Sequence, residues 1–381
     1  MRKGRAGVSV GVLMLVLACT VQAADSRWCE YQSDNFTLHS DISSRAAQSM
    51  LADFETFRKG VLYGLGYEDV PENTRLRIIV YARNRDYNAI RPGVNTAGFF
   101  FSAPSGPRMV IGSSRNASKT QVLYHEYLHY LLEEHFGLPV PRWYNEGFAE
   151  LFATTEVHGG VMETGKLDPD RLLVLSAYGL LSLEQLFAPF DGDASTIFMS
   201  RYYSTAGLFM HYLQVGPSQG EEDLRQGLAH FLYNINTGIP AVDAVEPSFG
   251  ISLRELQRRL RSYYLRERYQ YMRFELGPYE GQMHSRRLSS NEAAILLADM
   301  AQSLGAEDVA LDYLDELDGG RPDAARGLAM QAVIHGHKDA IAESARVRDR
   351  AFELAGDDAE VLASLAHLYL DDFTRSANAG D

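Results

Sequence analysis

The sequence predicts an α+β fold that passes into an all-helical end, and three observations carry the prediction. Between Trp28 and about Ser114, β-patterned runs flank a helical one. From Lys119 to about Arg273, helical periodicity dominates. From about Leu288 to Asp372 the pattern is helical throughout and rich in alanine.

In order along the chain, Asn35–Asp41 (NFTLHSD) alternates apolar and polar residues as a short half-buried strand does. Ser43–Gly66 has a helical period and stops at glycine. Thr74–Ala82 (TRLRIIVYA) is rich in β-branched residues and reads as a core strand. Ala97–Gly112 reads as two strands around a Pro-Ser-Gly-Pro turn. The helical stretch that follows is broken at Gly137–Pro141, Gly159–Gly160, Pro189–Asp193, Gly216–Pro217 and Gly238–Pro240. Near the end, Asn291–Leu317 divides into two helices at Gly305, Asp323–Leu354 repeats that shape with a break near Gly336, and Asp358–Asp372 begins a third unit. These starts recur roughly every 31–36 residues, similar to the spacing of tetratricopeptide repeats. The Trp and Pro landmarks of that repeat are mostly missing, so a plain helical bundle packed on the preceding lobe is the other reading.

The first residues are different in kind. Arg2, Lys3 and Arg5 precede an uncharged run from Ala6 to Val21, and Val21-Gln22-Ala23 supplies a signal-peptidase site. The run is about 16 residues, short of the roughly 20 that span a bilayer. Residues 1–23 are therefore expected to be a removed secretory signal, with the protein delivered to a bacterial periplasm; lipid attachment at Cys19 is the lesser alternative. No later stretch is apolar for long enough to span a membrane. The chain of 381 residues is 46% apolar with a formal charge of −14. Losing the signal removes three positive charges and no negative one. A phosphate backbone would repel such a protein, so nucleic acid is not expected as a partner. Cys29 would be the remaining cysteine, so any metal falls to histidine and carboxylate ligands.

The chemistry is concentrated in Gln121–Gly137 (QVLYHEYLHYLLEEHFG). On a helix His125 and His129, four residues apart, share a face, and one zinc ion can reach both imidazoles. Glu126 sits near the edge of that face. It can reach a water on the ion without ligating the ion, which is what a general base requires. The competing reading is a helix that merely carries two histidines. Val122, Leu123, Tyr127, Leu128, Leu131 and Leu132 make the helix apolar nearly all round and hence buried. Two imidazoles and a carboxylate are costly in such a place unless something satisfies them, and a metal satisfies all three. His135, six residues beyond His129, falls across the helix.

Seventeen residues after His129 comes Glu146, within Pro141–Phe152 (PRWYNEGFAELF). With it the chain resembles the gluzincin metallopeptidases, which include the thermolysin and aminopeptidase-N families, and more closely the bacterial proteins with a peptidase MA-like domain. Asn145-Glu146-Gly147-Phe148-Ala149 matches the N-E-G-x-A of that clan letter by letter. The resemblance spans about residues 35–213 and implies a gluzincin-type domain, a small mixed sheet with a helical lobe, over residues 24–280; the helical, tetratricopeptide-like region expected from the repeat spacing follows at 285–375. It implies Glu146 as third zinc ligand and Glu150, one turn on, as the partner of the outer nitrogen of His125. It implies Tyr203, which opens Tyr203–Leu213 (YSTAGLFMHYL), as the donor to the oxyanion, with Tyr202 the neighbouring alternative. Thr205 and Ala206 stand where the aminopeptidase-N pattern has lysine and glycine. The clan's sheet lends an edge strand to the substrate backbone; Gly98–Phe101 and Met109–Gly112 are the two candidates. The G-x-M-E-N segment that grips a free N-terminus in aminopeptidase-N enzymes is not found.

The expected activity is zinc-dependent hydrolysis of peptide bonds, with a peptide or protein substrate and a protein partner held by the C-terminal helices. Two alternatives stand beside it. One is a zinc hydrolase of another substrate class on the same scaffold, because the motif constrains water activation and not the acyl group. The other is a binding module whose zinc site is structural or vestigial, although a structural site is normally closed by a fourth protein ligand.

Overall fold

A computed structural model describes residues 26–378 except 68–74, 94–95, 104–105, 113–117, 136–138, 190–193 and 267. The signal segment, Cys19 and part of the Pro-Ser-Gly-Pro turn lie outside the described residues.

The fold is α+β. The chain enters through β1 (Cys29–Gln32) and β2 (Phe36–Ser40), runs along α1 (Ser44–Gly64) to β3 (Leu76–Val80), and crosses the short α2 (Asn84–Asn88) to the pair β4 (Gly98–Ala103) and β5 (Gly106–Ile111). These strands belong to one mixed sheet of order β4-β5-β3-β2-β1-β9, in which β9 (His284–Arg287) arrives from much later in the chain. β2, β3 and β5 run parallel, and the pairs at either end are antiparallel.

Both faces of this sheet are covered, which is why β3 reads as an almost continuous apolar run. Ile78, Val80, Met109 and Ile111 face a core built with α1 and the helices that follow the sheet. Their alternates Ile79 and Val110 face a second core with Tyr81, Trp28 and the C-terminal helices.

Two helices follow the sheet, α3 (Lys119–His135) and α4 (Arg142–Ala153). Ser118 starts α3 by a reciprocal cap: its hydroxyl accepts from the Gln121 N–H at 3.1 Å while its own N–H donates to Gln121 Oε1 at 2.7 Å. Aromatic rings then lock α3 to α1. Tyr124 stacks on Phe57 at 3.8 Å between centroids, and Tyr127 meets Phe36 and Phe54 edge-on.

The middle of the chain is mostly helical with a small sheet set into it. β6 (Glu156–His158) and β7 (Val161–Thr164) form a hairpin over Gly159-Gly160, whose φ angles of 58° and 82° are those a tight two-residue turn demands. Then come α5 (Pro169–Tyr178), α6 (Leu183–Phe187), α7 (Thr196–Gln214), α8 (Arg225–Asn236), α9 (Ala241–Phe249) and α10 (Leu253–Tyr264). β8 (Met272–Glu275) returns to complete the sheet β6-β7-β8. The sequence reading placed no strand in this segment. Runs of three and four residues are too short to show a period against helical surroundings.

β9 was equally illegible in the sequence. All four of its residues are exposed, and it belongs to the sheet through backbone pairing with β1. It falls at the junction between the expected catalytic domain and the expected helical region. Beyond it, α11 (Ser290–Ser303) and α12 (Glu307–Leu314) pack on the back of the main sheet. α13 (Ala325–His337), α14 (Ile341–Ala355) and α15 (Ala359–Asn378) share a third core of alanine, valine and leucine. Arg108 on β5, almost wholly buried, reaches Asp299 of α11 at 2.5 Å and ties sheet to helix. Among the described residues no helix is long and apolar enough to cross a membrane.

Candidate metal centre

The histidines of α3 and the glutamate of α4 converge. His125 Nε2 and His129 Nε2 stand 3.1 Å apart, and Glu146 Oε2 lies 3.6 Å from the first and 3.5 Å from the second. Ligands bound to zinc at about 2.0–2.2 Å stand about 3.3–3.6 Å apart at tetrahedral corners; both histidine–glutamate separations have that spacing, and the two imidazole nitrogens stand slightly closer. Among the described residues this is the one cluster of three metal-ligating side chains so disposed.

Close packing behind α4 sets that geometry. A Cβ at Gly147 would come within 2.6 Å of the Ala206 carbonyl oxygen, so the residue after Glu146 must be glycine for α4 to lie this near α7. Asn145 fixes the ring of His129: its Oδ1 accepts from Nδ1–H at 2.8 Å, which leaves Nε2 as the lone-pair nitrogen turned to the cluster. Sequence reasoning used Asn145 as part of a motif and missed this role.

Electrostatics follow from burial and from these contacts. Burial disfavours the charged forms of His125 and Glu146, but each stabilises the other. His125 is pushed above the ordinary histidine range by Glu146, Glu150 and Glu126, and Glu146 is held below the carboxylate range by His125, His129 and Arg142. Glu126 is raised instead, because burial outweighs the pull of the two histidines and of the Phe100 N–H that donates to it. A carboxyl moved upward in this way is poised to exchange a proton nearer neutrality.

A cavity of about 500 Å³ opens on the His125 side of the cluster. His125, Glu126 and Tyr203 line it, with Thr96, Ala97 and Gly98 along one side and Arg171 and Val174 of α5 along another. Among the described residues β4 is an edge strand of the sheet, and its Gly98 lines the cavity, whereas β5 is enclosed between β4 and β3. Of the two edge candidates, Gly98–Phe101 therefore lies at an edge of the sheet, with its Phe100 N–H given to Glu126, and Met109–Gly112 lies inside the sheet. Tyr203 and Tyr202 are also separated: Tyr203 faces the cavity, while Tyr202 is buried, stacks on Phe198 and borders a different groove.

Glu150 lies near His125, with Oε1 at 3.9 Å from Nδ1, an ion-pair distance and not a hydrogen bond. Its stronger partner is Arg171, whose Nε and Nη2 hold its two oxygens at 2.9 and 2.5 Å. Arg171 also lies over the Tyr203 ring, 5.5 Å from the centroid. Arg142 Nη2 donates to the Tyr203 hydroxyl at 3.2 Å. Neither arginine was singled out by sequence, since nothing local marks an arginine that acts across 21 or 61 residues. Thr205, where the aminopeptidase-N pattern would have lysine, is buried and accepts from the Leu181 N–H. The side chain of His135 lies outside the described residues.

No protein-family model matches this chain, and no curated protein matches it.

Proposed function

We propose that this chain is a secreted zinc-dependent metallopeptidase of the gluzincin kind, related to the peptidase MA-like proteins. The observation that carries the reading is the convergence of His125 Nε2, His129 Nε2 and Glu146 Oε2 at mutual distances of 3.1–3.6 Å, beside a cavity lined by His125 and Glu126.

The donor set fits one zinc ion: two imidazole nitrogens and a carboxylate, a ring fixed from behind by Asn145, and a cavity on the His125 side. Bound there, the ion would polarise a carbonyl and make water acidic enough to attack it near neutral pH. The residues around it divide the remaining work. Glu126 accepts the proton of the attacking water and delivers it to the leaving nitrogen, a transfer its raised pKa favours. Tyr203 donates its hydroxyl to the carbonyl oxygen as charge develops there, worth a few kcal/mol of barrier in comparable sites. Arg171 keeps the Glu150 carboxylate paired beside His125.

The position of β4 at an edge of the sheet, among the described residues, favours a peptide over other acyl substrates. An extended chain can pair with Gly98–Phe101 and lie across the cluster. The cluster holds three ligating side chains among the described residues, which favours an open, reactive site over a closed structural one.

The test is metal analysis of purified protein and digestion of a peptide library with and without chelator, in wild type and Glu126→Gln. The expected result is zinc in both proteins and cleavage in the wild type alone. Unchanged cleavage by Glu126→Gln would sink the mechanism, and absence of metal from the wild type would remove its basis.

A further inference from the structure

We infer that Arg142 is a positioning residue that aims the Tyr203 hydroxyl proton into the cavity, an inference that rests on the peptidase reading. Arg142 is the first residue of α4, four residues before Glu146 and on the same face of the helix. Its Nη2 lies 3.2 Å from the Tyr203 hydroxyl on α7, and its Nε lies 3.6 Å from Glu146 Oε1. One planar guanidinium thus spans the third ligand and the oxyanion donor.

A guanidinium has donors and no acceptor. In this pair the tyrosine oxygen must accept, so its own proton cannot be spent on Arg142. A phenol free to rotate at a wet cleft divides its proton among several acceptors; one whose oxygen is already engaged by a fixed cation points its proton away from that cation. Arg171, over the face of the same ring, restricts the ring itself. Negative charge that drifts toward the phenol oxygen as it donates is met by Arg142, so the contact strengthens as the reaction proceeds. A simple helix-surface ion pair with Glu146 would explain the Nε contact but not the contact with Tyr203, which lies on another helix.

Arg142 is more than a third exposed, so its replacement leaves the fold intact. The experiment uses zinc-loaded full-length protein labelled with carbon-13 at the tyrosine ring carbon bearing oxygen. The Tyr203 signal is assigned by its loss in Tyr203→Phe. In Arg142→Met this signal is expected to move; an unmoved signal overturns the inference whether or not the protein hydrolyses peptides. In parallel, kcat and KM are measured on a cleaved library peptide. Arg142→Met is expected to lower kcat about ten-fold with KM within about two-fold, because the interaction matters mainly in the transition state. Combined with Tyr203→Phe it should cost nothing further. Multiplying losses, or a loss confined to KM, would mean that Arg142 acts on substrate directly and not through Tyr203. A wild type that binds zinc and cleaves nothing defeats the peptidase reading instead, and the Tyr203 signal then decides the Arg142 contact alone.

Discussion

Asn145 Oδ1 accepts from His129 Nδ1–H at 2.8 Å, and this one contact connects the two helices of the candidate metal centre through a residue that ligates nothing. Imidazole has two nitrogens and one proton at neutral pH, and the cluster needs the Nε2 lone pair. By holding the proton on Nδ1, Asn145 selects the tautomer and the ring plane together. Outer partners of this kind are typically worth about 10–100-fold in metal affinity. Asn145→Ala is therefore expected to weaken zinc binding by about that factor, read by competition with a chromophoric chelator. Wild-type affinity in this variant would mean that the packing of α3 alone orients His129.

Gly147 makes the second prediction. Its missing side chain lets α4 approach α7 until a Cβ would sit 2.6 Å from the Ala206 carbonyl oxygen. Backbone cannot yield as a flexible side chain can. Gly147→Ala must push the helices apart, at a cost of about 1–3 kcal/mol for an overpacked core site. Glu146 is the adjacent residue, so the same shift should loosen zinc. The expected outcome is a lower unfolding midpoint in denaturant together with weaker metal binding. A stable Gly147→Ala protein with unchanged affinity would show that α4 has slack here.

The C-terminal helices yield the third. Chains cut after Leu288 lose α11 and α12, which cover Ile79, Tyr81 and Val110 on the back of the sheet. They also remove Asp299, the α11 partner of Arg108, and uncover that part of the sheet. The truncated protein is expected to aggregate or to lose its near-ultraviolet circular dichroism. A soluble, zinc-binding fragment ending there would mean that the helical region is an appendage. A partner-binding role for these helices is accordingly better tested by surface substitutions on α14 and α15 than by deletion.

What was legible in the sequence followed strong, local patterns. His125 and His129 were readable because a helix puts positions four apart on one face, and Ile78–Val80 because a strand buried on both sides is apolar at every position. Gly305 and Gly336 each divided a helical run where the fold divides it or nearly so. The pair Gly159-Gly160 was noticed as a break but not as a hairpin, since β6 and β7 are too short to announce themselves. β9 could not have been read at all: His284–Arg287 is held by backbone pairing with β1, to which side-chain pattern is blind. Arg142 and Arg171 were hidden for a related reason. Each acts across helices, and an arginine at a helix start looks the same whether it faces solvent or a tyrosine of a helix far along the chain.

The last prediction concerns His211, which lies in the last turn of α7 and is fully buried. Its Nδ1 and Nε2 meet the Tyr263 hydroxyl at 2.7 Å and the Gln270 carbonyl at 3.1 Å. Burial lowers its pKa from 6.5 to about 4. A histidine kept neutral in the fold is protonated more readily in the unfolded chain. Between these two values the unfolded state thus binds more protons, and stability rises with pH. The contribution is complete above about pH 6.5 and is lost as the pH falls through about 4. It is worth on the order of 3 kcal/mol, because a tenfold change in proton affinity between the two states corresponds to about 1.4 kcal/mol. In chelator, to keep metal binding out of the measurement, the wild-type midpoint in guanidinium should fall between pH 6.5 and 4. His211→Gln, less stable at neutral pH, should fall less over the same interval because glutamine has no proton to gain. Parallel curves for the two proteins would assign the acid sensitivity to other groups and place His211 outside the pH dependence of folding.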